Sequence, residues 1–378
     1  MKVAYLTNVI PTYRTAFFQR LLNDERLEIT VFCRPEPNGQ PAELSESRFH
    51  RAVVRVPSVS LLGDRLIFER LPFQSILSDY DVIVSDGNPR HLGFALVSTV
   101  AALLGKRVAI WSTLHSRRNR PASQAVRLLW WRLFPEFLSY TQPDADHLNA
   151  QGFGRIARST NNGLDQAEID RCRSLHTGAE LKAFKREQAL EGKHVLLSIG
   201  RAVPGRFDLM AETLSALKAA GRDVVWVLLG SGNGMDALRD AVARHGVGDN
   251  VQFPGAVYEE QDLAKWFGVA DLFVYTDAIG LSLYHAFGYG LPVVVHDSLA
   301  LHGPEMGVFE EGGVGLTFRH GDASAMAAKI VELLDDPARR SAMGARASQI
   351  VRQEYNAEIM YERFVQAMLT PPGEATRR

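Results

Sequence analysis

The stretch Tyr275-Thr276-Asp277-Ala278-Ile279-Gly280-Leu281-Ser282-Leu283-Tyr284-His285-Ala286-Phe287-Gly288-Tyr289-Gly290-Leu291-Pro292-Val293-Val294 decides the fold. An apolar strand ends at Tyr275, a carboxylate and a glycine-bearing loop follow, and a helix starts near Leu281. Gly290-Leu291-Pro292 then returns the chain to a buried strand, a βαβ passage that places polar groups at a strand's carboxyl end. Unpaired amides at a helix start point at an anion there.

Outward from this run, short apolar segments alternate with amphipathic ones along the whole chain. Strands are expected at Val3–Thr7, Ile29–Cys33, Val82–Ser85, Arg107–Trp111 and near Phe137–Tyr140. A second series follows at His194–Ile199, Val224–Leu229, Val251–Phe253, Leu272–Tyr275 and Pro292–Val295. Thr15–Asn23 and Leu92–Leu104 read as intervening helices, and no internal repeat shows. Two series of βα units in a 378-residue chain imply an α/β protein of two doubly wound parallel-sheet domains facing across a cleft. The expected division is residues 1–175, a linker at 176–193 rich in Lys, Glu and Ala, a second domain at 194–355, and a closing helix at 356–370 that packs back on the first.

Composition excludes several classes. A charged fraction of 22% with 46% hydrophobic residues is that of a globular protein, not a disordered one. Two cysteines, Cys33 and Cys172, are too few for a disulfide framework and point to a reducing, cytoplasmic compartment. Met1-Lys2 leads directly into a strand with no secretory signal, and the apolar stretch Leu92–Gly105 is shorter than a membrane span. The net charge of −1 divides into +6 over residues 1–190 and −7 over the rest, so the first half can face an anionic partner. No basic, aromatic-interleaved module for nucleic acid is present. Arg117-Arg118-Asn119-Arg120-Pro121 and Arg127–Phe134, with Leu128-Leu129-Trp130-Trp131, have the composition of an interfacial patch, read either as peripheral association with anionic membrane or as core tryptophans with solvated arginines.

Three further loops close strands of the second series. Gly200-Arg201 leads through a short loop to Arg206-Phe207-Asp208, where two arginines can clamp phosphate oxygens. Gly230-Ser231-Gly232-Asn233-Gly234 reads as a tight turn with close backbone approach. It departs from a dinucleotide fingerprint because Met235 follows directly. Gly255-Ala256-Val257-Tyr258 can frame a base, with Tyr258 as a stacking face. Asp79-Tyr80-Asp81 and Asp144-Ala145-Asp146 look like metal triplets, but the second opens a helix, where carboxylates serve as caps.

Taken in order, these pieces resemble the GT-B glycosyltransferases, specifically the retaining family 4 type. In that family a Glu-Gly-Phe-Gly-Leu loop lies seven residues before a second Glu. Here Asp277-Ala278-Ile279-Gly280-Leu281 occupies the loop and His285 the second acidic position, with Glu305 following in Gly303-Pro304-Glu305. The resemblance is strongest over residues 194–370. It implies a metal-independent enzyme without cofactor that takes a nucleoside-diphosphate sugar as co-substrate and a glycan or lipid-linked glycan as acceptor. By the same resemblance Arg201 contacts the diphosphate, with Arg206 standing in for the family's lysine. Asp277 meets hydroxyls of the transferred sugar. Amides at Gly280, Leu281 and Ser282 meet sugar and diphosphate, His285 lies near the ribose, and Val257 and Tyr258 border the base. Ala278, Ile279, Gly200, Gly230, Gly232 and Glu305 complete the donor site, and His115, after Trp111-Ser112-Thr113-Leu114, stands near the reacting sugar. Pro11-Thr12-Tyr13-Arg14 replaces the family's Gly-Gly, so Tyr13 and Arg14 are acceptor-side or donor-phosphate candidates, or simple loop packing. Substitution of Asp for Glu and His for the second Glu leaves a non-catalytic binding subunit, or a nucleotide-sugar epimerase, as alternatives.

Overall fold

The computed structural model describes residues 1–35, 53–63, 65–114, 121–152 and 156–371. The chain forms two compact units, one of Met1–Asn162 with Asn356–Arg378 and one of Gly163–Tyr355.

In the first unit the strands are β1 (Lys2–Thr7), β2 (Glu28–Cys33), β3 (Val53–Arg55), β4 (Ser58–Leu61), β5 (Leu66–Glu69), β6 (Val82–Ser85), β7 (Arg107–Trp111), β8 (Glu136–Ser139) and β9 (Ile156–Ser159). Seven of them make a sheet in the order β3-β2-β1-β6-β7-β8-β9, while β4 and β5 pair as a separate antiparallel ribbon. Every pairing in the large sheet is parallel. Burial on both faces explains the unbroken apolar runs, as in Val82–Ser85, where all four residues are buried. One face packs the closing helix Ala357–Leu369, whose Met360, Phe364 and Met368 share a core with Tyr5, Phe17 and Trp111. Asn356 caps that helix by accepting from the Ile359 amide at 3.0 Å. At its far end Arg107 and Arg158 both donate to the Ala367 carbonyl while Glu136 balances their charge.

In the second unit the strands are β10 (His194–Ile199), β11 (Val224–Leu229), β12 (Val251–Gly255), β13 (Leu272–Val274), β14 (Val293–His296) and β15 (Gly315–Phe318). They form one parallel sheet in the order β12-β11-β10-β13-β14-β15. Strand β11, between β12 and β10, is buried along its whole length.

The division falls at Asn162/Gly163, earlier than composition implied, and the stretch read as linker is mostly a helix of the second unit. Helix Gly178–Glu187 begins with a Thr177–Glu180 capping box. Its Phe184 meets Trp266 edge-to-face at 4.9 Å, and Leu181 fills the space a side chain at Gly268 would need. Polar composition marked an amphipathic helix here, since one apolar stripe is enough to dock it.

Each sheet reverses strand order once, between β1 and β6 in the first and between β10 and β13 in the second. Such switch points open a crevice outside the carboxyl ends of the strands.

Candidate active site

At the β10/β13 switch point of the second unit, the loops are fixed by backbone rather than by side chains. Ala202 donates its amide to the Ser231 carbonyl, and the Gly234 amide donates back to the Ala202 carbonyl, both at 3.0 Å. A Cβ at Gly230 would stand 2.0 Å from the Gly200 carbonyl oxygen, and one at Gly232 would stand 2.2 Å from that of Ala202. These two glycines therefore interlock the loops after β10 and β11. Gly200 likewise lies against the Tyr275 hydroxyl, which a Cβ would approach to 2.6 Å. The nucleotide-fingerprint look of 230–234 thus has a packing cause.

On this base stand the charged groups. Arg206 Nε donates to Asp277 Oδ2 at 3.3 Å, and Arg206 Nη1 donates to the Arg201 carbonyl at 3.1 Å. Thr276 Oγ1 donates to the Arg206 carbonyl at 2.5 Å, so the loop that follows β13 also holds the arginine's backbone. Arg206 and Asp277 each keep about a quarter of their side chains exposed, at 24% and 28%. Arg201 is exposed and its guanidinium makes no hydrogen bond or ion pair among the described residues. Arg206 and Asp277 thus meet beyond the strand ends, with Arg201 exposed on the same loop as Arg206.

The loop 277–281 rests on the segment that follows β14. The Ile279 amide donates to His302 Nδ1 at 3.2 Å, and the Gly303 amide donates to the Ile279 carbonyl at 2.7 Å. Glu305 is buried and its Oε2 would lie 3.7 Å from a Cβ at Gly280. Ala278, Gly280, Leu281 and Ser282 remain partly open, whereas Ile279 is buried and belongs to the core. Ser282–Gly288 is a seven-residue helix with no side-chain cap at Leu281.

His285 pairs with an acid from another helix. Its Nε2 lies 2.9 and 3.1 Å from the two oxygens of Glu260, and the Tyr289 hydroxyl donates to Glu260 Oε1 at 2.6 Å. Burial pushes the Glu260 carboxyl up, but the hydrogen bonds from His285 and Tyr289 and the His285 charge outweigh it and hold the acid below its ordinary range. The same burial, with the adjacent Glu260 charge, raises the Tyr289 phenol. Phe267 stacks on Tyr289 at 4.3 Å and floors the group. The acid beside His285 is Glu260, the first residue of the helix Glu260–Val269. Sequence reading passed over Glu260, although its place directly after Val257-Tyr258-Glu259 was the available signal. Tyr258 is 77% exposed and Val257 half-buried, on a strand end two places from the switch point.

In the first unit Arg14 is buried, not presented. Its guanidinium lies over Trp111 at 4.9 Å and Tyr140 at 4.7 Å, and Nη2 donates to Asn162 Oδ1 at 3.2 Å. Tyr13 is half exposed above it. Of the composition read as an interfacial patch, Trp131 and Arg127 face inward, with Arg127 Nη2 donating to the Leu114 carbonyl. His115 and Arg117–Arg120 lie outside the described residues. Among the described residues no three His, Cys, Asp or Glu side chains are grouped to hold a metal ion. Asp79 is bound by Ser75 and Ser78, Asp81 accepts from the Lys2 amide, and Asp144 lies in the first turn of a helix capped by Thr141.

Two parallel doubly wound sheets with a strand-end site of this kind define the GT-B fold of glycosyltransferases. Residues 180–350, within the second unit, match the model of the group described as glycosyl transferases group 1. Among curated proteins, the chain is 29% identical over 189 residues to a GDP-mannose-dependent monoacylated alpha-(1-6)-phosphatidylinositol monomannoside mannosyltransferase of Corynebacterium glutamicum, covering 47% of this chain and 48% of that one. It is 32% identical over 178 residues to a D-inositol 3-phosphate glycosyltransferase of Kineococcus radiotolerans, covering 41% of this chain and 39% of the relative. The matched stretch thus spans less than half of each relative. Anabaena Alr3699/HepE in complex with UDP superposes with a TM-score of 0.75 at 16% identity, over 98% of this chain and 100% of that one. The lipopolysaccharide outer core galactosyltransferase WaaB in its apo form gives 0.67 at 12% identity, over 98% and 99%.

Proposed function

We propose that the protein is a retaining, metal-independent glycosyltransferase that moves a sugar from a nucleoside-diphosphate donor to a hydroxyl of a glycan or lipid-linked glycan. Surface polysaccharide or lipopolysaccharide assembly on the cytoplasmic side of a membrane is its setting. The observation that carries the reading is the Arg206–Asp277 contact across the β10/β13 switch point, with Arg201 open beside it. As the bond from sugar to diphosphate breaks, negative charge grows on the leaving oxygens, and the two arginines stabilise it without a metal. Asp277 takes hydrogen bonds from the sugar's hydroxyls, and the Glu260–His285 pair takes those of the ribose. The relatives support the donor class: the Corynebacterium mannosyltransferase is GDP-mannose-dependent by name, and the Anabaena structure holds UDP.

A thermal-shift screen with nucleoside diphosphates and their sugars tests donor recognition. A true donor at about 100 times its dissociation constant adds roughly 2.7 kcal/mol. Nucleotide release with and without acceptor then separates the alternatives. Turnover that needs acceptor, survives a chelator and is lost in Asp277→Ala and Arg201→Ala supports transfer. Binding without turnover means a binding subunit, and donor conversion without acceptor means an epimerase.

A further inference from the structure

After β14 the chain reads His296-Asp297-Ser298-Leu299-Ala300-Leu301-His302-Gly303, and it folds back so that His302 lies on His296. The two rings stack with centroids 3.9 Å apart and 18° between their planes, and both side chains are buried. Their neighbours decide where the protons sit, because a backbone amide can only donate and a carbonyl can only accept. His302 Nδ1 takes the Ile279 amide at 3.2 Å and so carries no proton. His302 Nε2 lies 2.8 Å from the His296 carbonyl and therefore carries one. The ring is thus a neutral imidazole spanning two backbone groups. At one end stands the last residue of β14, in register with Phe318 of β15. At the other stands the middle of the loop 277–281. Gly303 adds a second hold, donating its amide to the Ile279 carbonyl at 2.7 Å. The approach is close, since a Cβ at Gly303 would stand 3.1 Å from both that carbonyl oxygen and Gly280 Cα. Two adjacent residues therefore fix both backbone groups of Ile279.

We propose that His302 is a positioning residue for the donor's sugar, the group that sets where the loop 277–281 stands. The inference rests on the transferase reading, in which Asp277, two residues before Ile279, takes the sugar's hydroxyls. Hydrogen bonds to a sugar are directional, so the loop must be placed as well as present. A carboxylate only accepts and an ammonium only donates, whereas neutral imidazole does both from opposite sides of one rigid ring. Stacking on His296 fixes the plane of that ring, and the Ser298 amide holds His296 in turn by donating to its Nδ1 at 3.2 Å. The hold runs from the sheet to the His296 carbonyl, through the His302 ring to the Ile279 amide, and so to Asp277 and Gly280 on either side. His302 is 7% exposed and acts through the loop, not on the sugar itself.

Three variants of the full chain test it. His302→Asn keeps an amide oxygen near the place of Nδ1 and still accepts from Ile279, while His302→Gln reaches the place of Nε2 and keeps only the bond to the His296 carbonyl. His302→Phe keeps the stack and neither bond. Titration calorimetry with UDP-glucose and GDP-mannose, and with UDP and GDP as sugarless controls, gives the readout, alongside the urea midpoint. For the pair that the wild type binds, His302→Gln and His302→Phe should weaken the sugar nucleotide about tenfold and the bare diphosphate less than about twofold. His302→Asn should stay within about threefold of the wild type on both. Equal weakening of sugar nucleotide and bare diphosphate, or equal loss in the Asn and Gln variants, overturns the proposal and leaves His302 a packing residue. So does a Gln variant that binds better than the Asn variant, which would make the His296 carbonyl the bond that counts. If the Phe variant does not fold, the order of the other two decides. A wild type that binds no sugar nucleotide across the donor screen removes the transferase reading and the proposal with it, whereas a binding wild type with indifferent variants removes the proposal alone.

Discussion

The two sheets share a topology and use their strand ends in opposite ways. In the second unit the loops after β10 and β11 are locked by backbone contacts through Gly230 and Gly232, and the cations above them stay open to solvent. In the first unit the charges at the same end are drawn inward. Arg14 lies in a cage of Trp111 and Tyr140, and Glu69 holds His91 at 2.7 Å with both side chains buried. A floor locked by backbone frees side chains for a ligand, whereas in the first unit side chains are themselves spent on holding the strand ends together. The contrast predicts which substitutions damage folding and which damage chemistry.

The largest effect is expected at Gly230. An alanine there drives its methyl into the Gly200 carbonyl at 2.0 Å, and neither loop can yield without losing its partner. Overpacking of this kind costs about 3 kcal/mol or more, so Gly230→Ala should unfold at clearly lower urea and lose donor binding together. Gly205→Ala is the control. Its φ is +84° but nothing lies within 4 Å of the added methyl, so only backbone strain of about 1–2 kcal/mol applies. Equal costs at the two glycines would show that the loops are not interlocked.

Arg206→Ala comes next and should separate chemistry from folding. The Arg206–Asp277 pair is a quarter exposed, and such pairs contribute about 0–1 kcal/mol to stability. Loss of one stabilising contact to a developing anion costs about 10²–10³ in rate. Transfer rate and urea midpoint measured on one preparation decide the matter. A variant that loses stability but keeps its rate would make Arg206 a brace rather than a clamp.

What the sequence disclosed follows the same division. Strands of the second unit were readable where they carry apolar runs, as in Val224-Val225-Trp226-Val227-Leu228-Leu229. Strand β15, Gly315-Leu316-Thr317-Phe318, was passed over because four residues with a glycine and a threonine carry no such run. Arg201, Arg206 and Asp277 were singled out by their places in loops after strands, where open α/β sheets bind ligands. Glu260 was missed because its partner His285 lies 25 residues away on another helix, a pairing that no local pattern encodes. Arg14 was read as a loop cation for the complementary reason, since only the folded sheet brings Trp111, Tyr140 and Asn162 around it.

Arg14→Ala should therefore invert the Arg206 result. The substitution empties a buried aromatic cage and removes the hydrogen bond to Asn162 Oδ1, a loss of about 2–3 kcal/mol. Transfer per folded molecule should hold near the wild-type value at a temperature where the variant remains native. A rate loss without a stability loss would return Arg14 to the acceptor side of the reaction.

The smallest effect is a pH dependence at Asp86, at the carboxyl end of β6 beside the first unit's switch point. Burial pushes its carboxyl up, with Glu69 adding to the rise, while His91 and the Asn88 amide oppose it. A raised acid binds its proton more tightly folded than unfolded. Its stability advantage is full below the ordinary carboxyl value of about 3.9 and is lost as pH climbs through the folded value. Above that point the buried charge is a net cost. Asp86→Asn keeps the oxygen that accepts from the Asn88 amide at 3.1 Å but cannot ionise. The variant should match the wild type in urea unfolding at acid pH and exceed it at neutral pH. Equal midpoints across the range would mean that the Asp86 charge is solvated, and the contrast between a closed first-unit strand end and an open second-unit one would then rest on Arg14 and the Glu69–His91 pair alone.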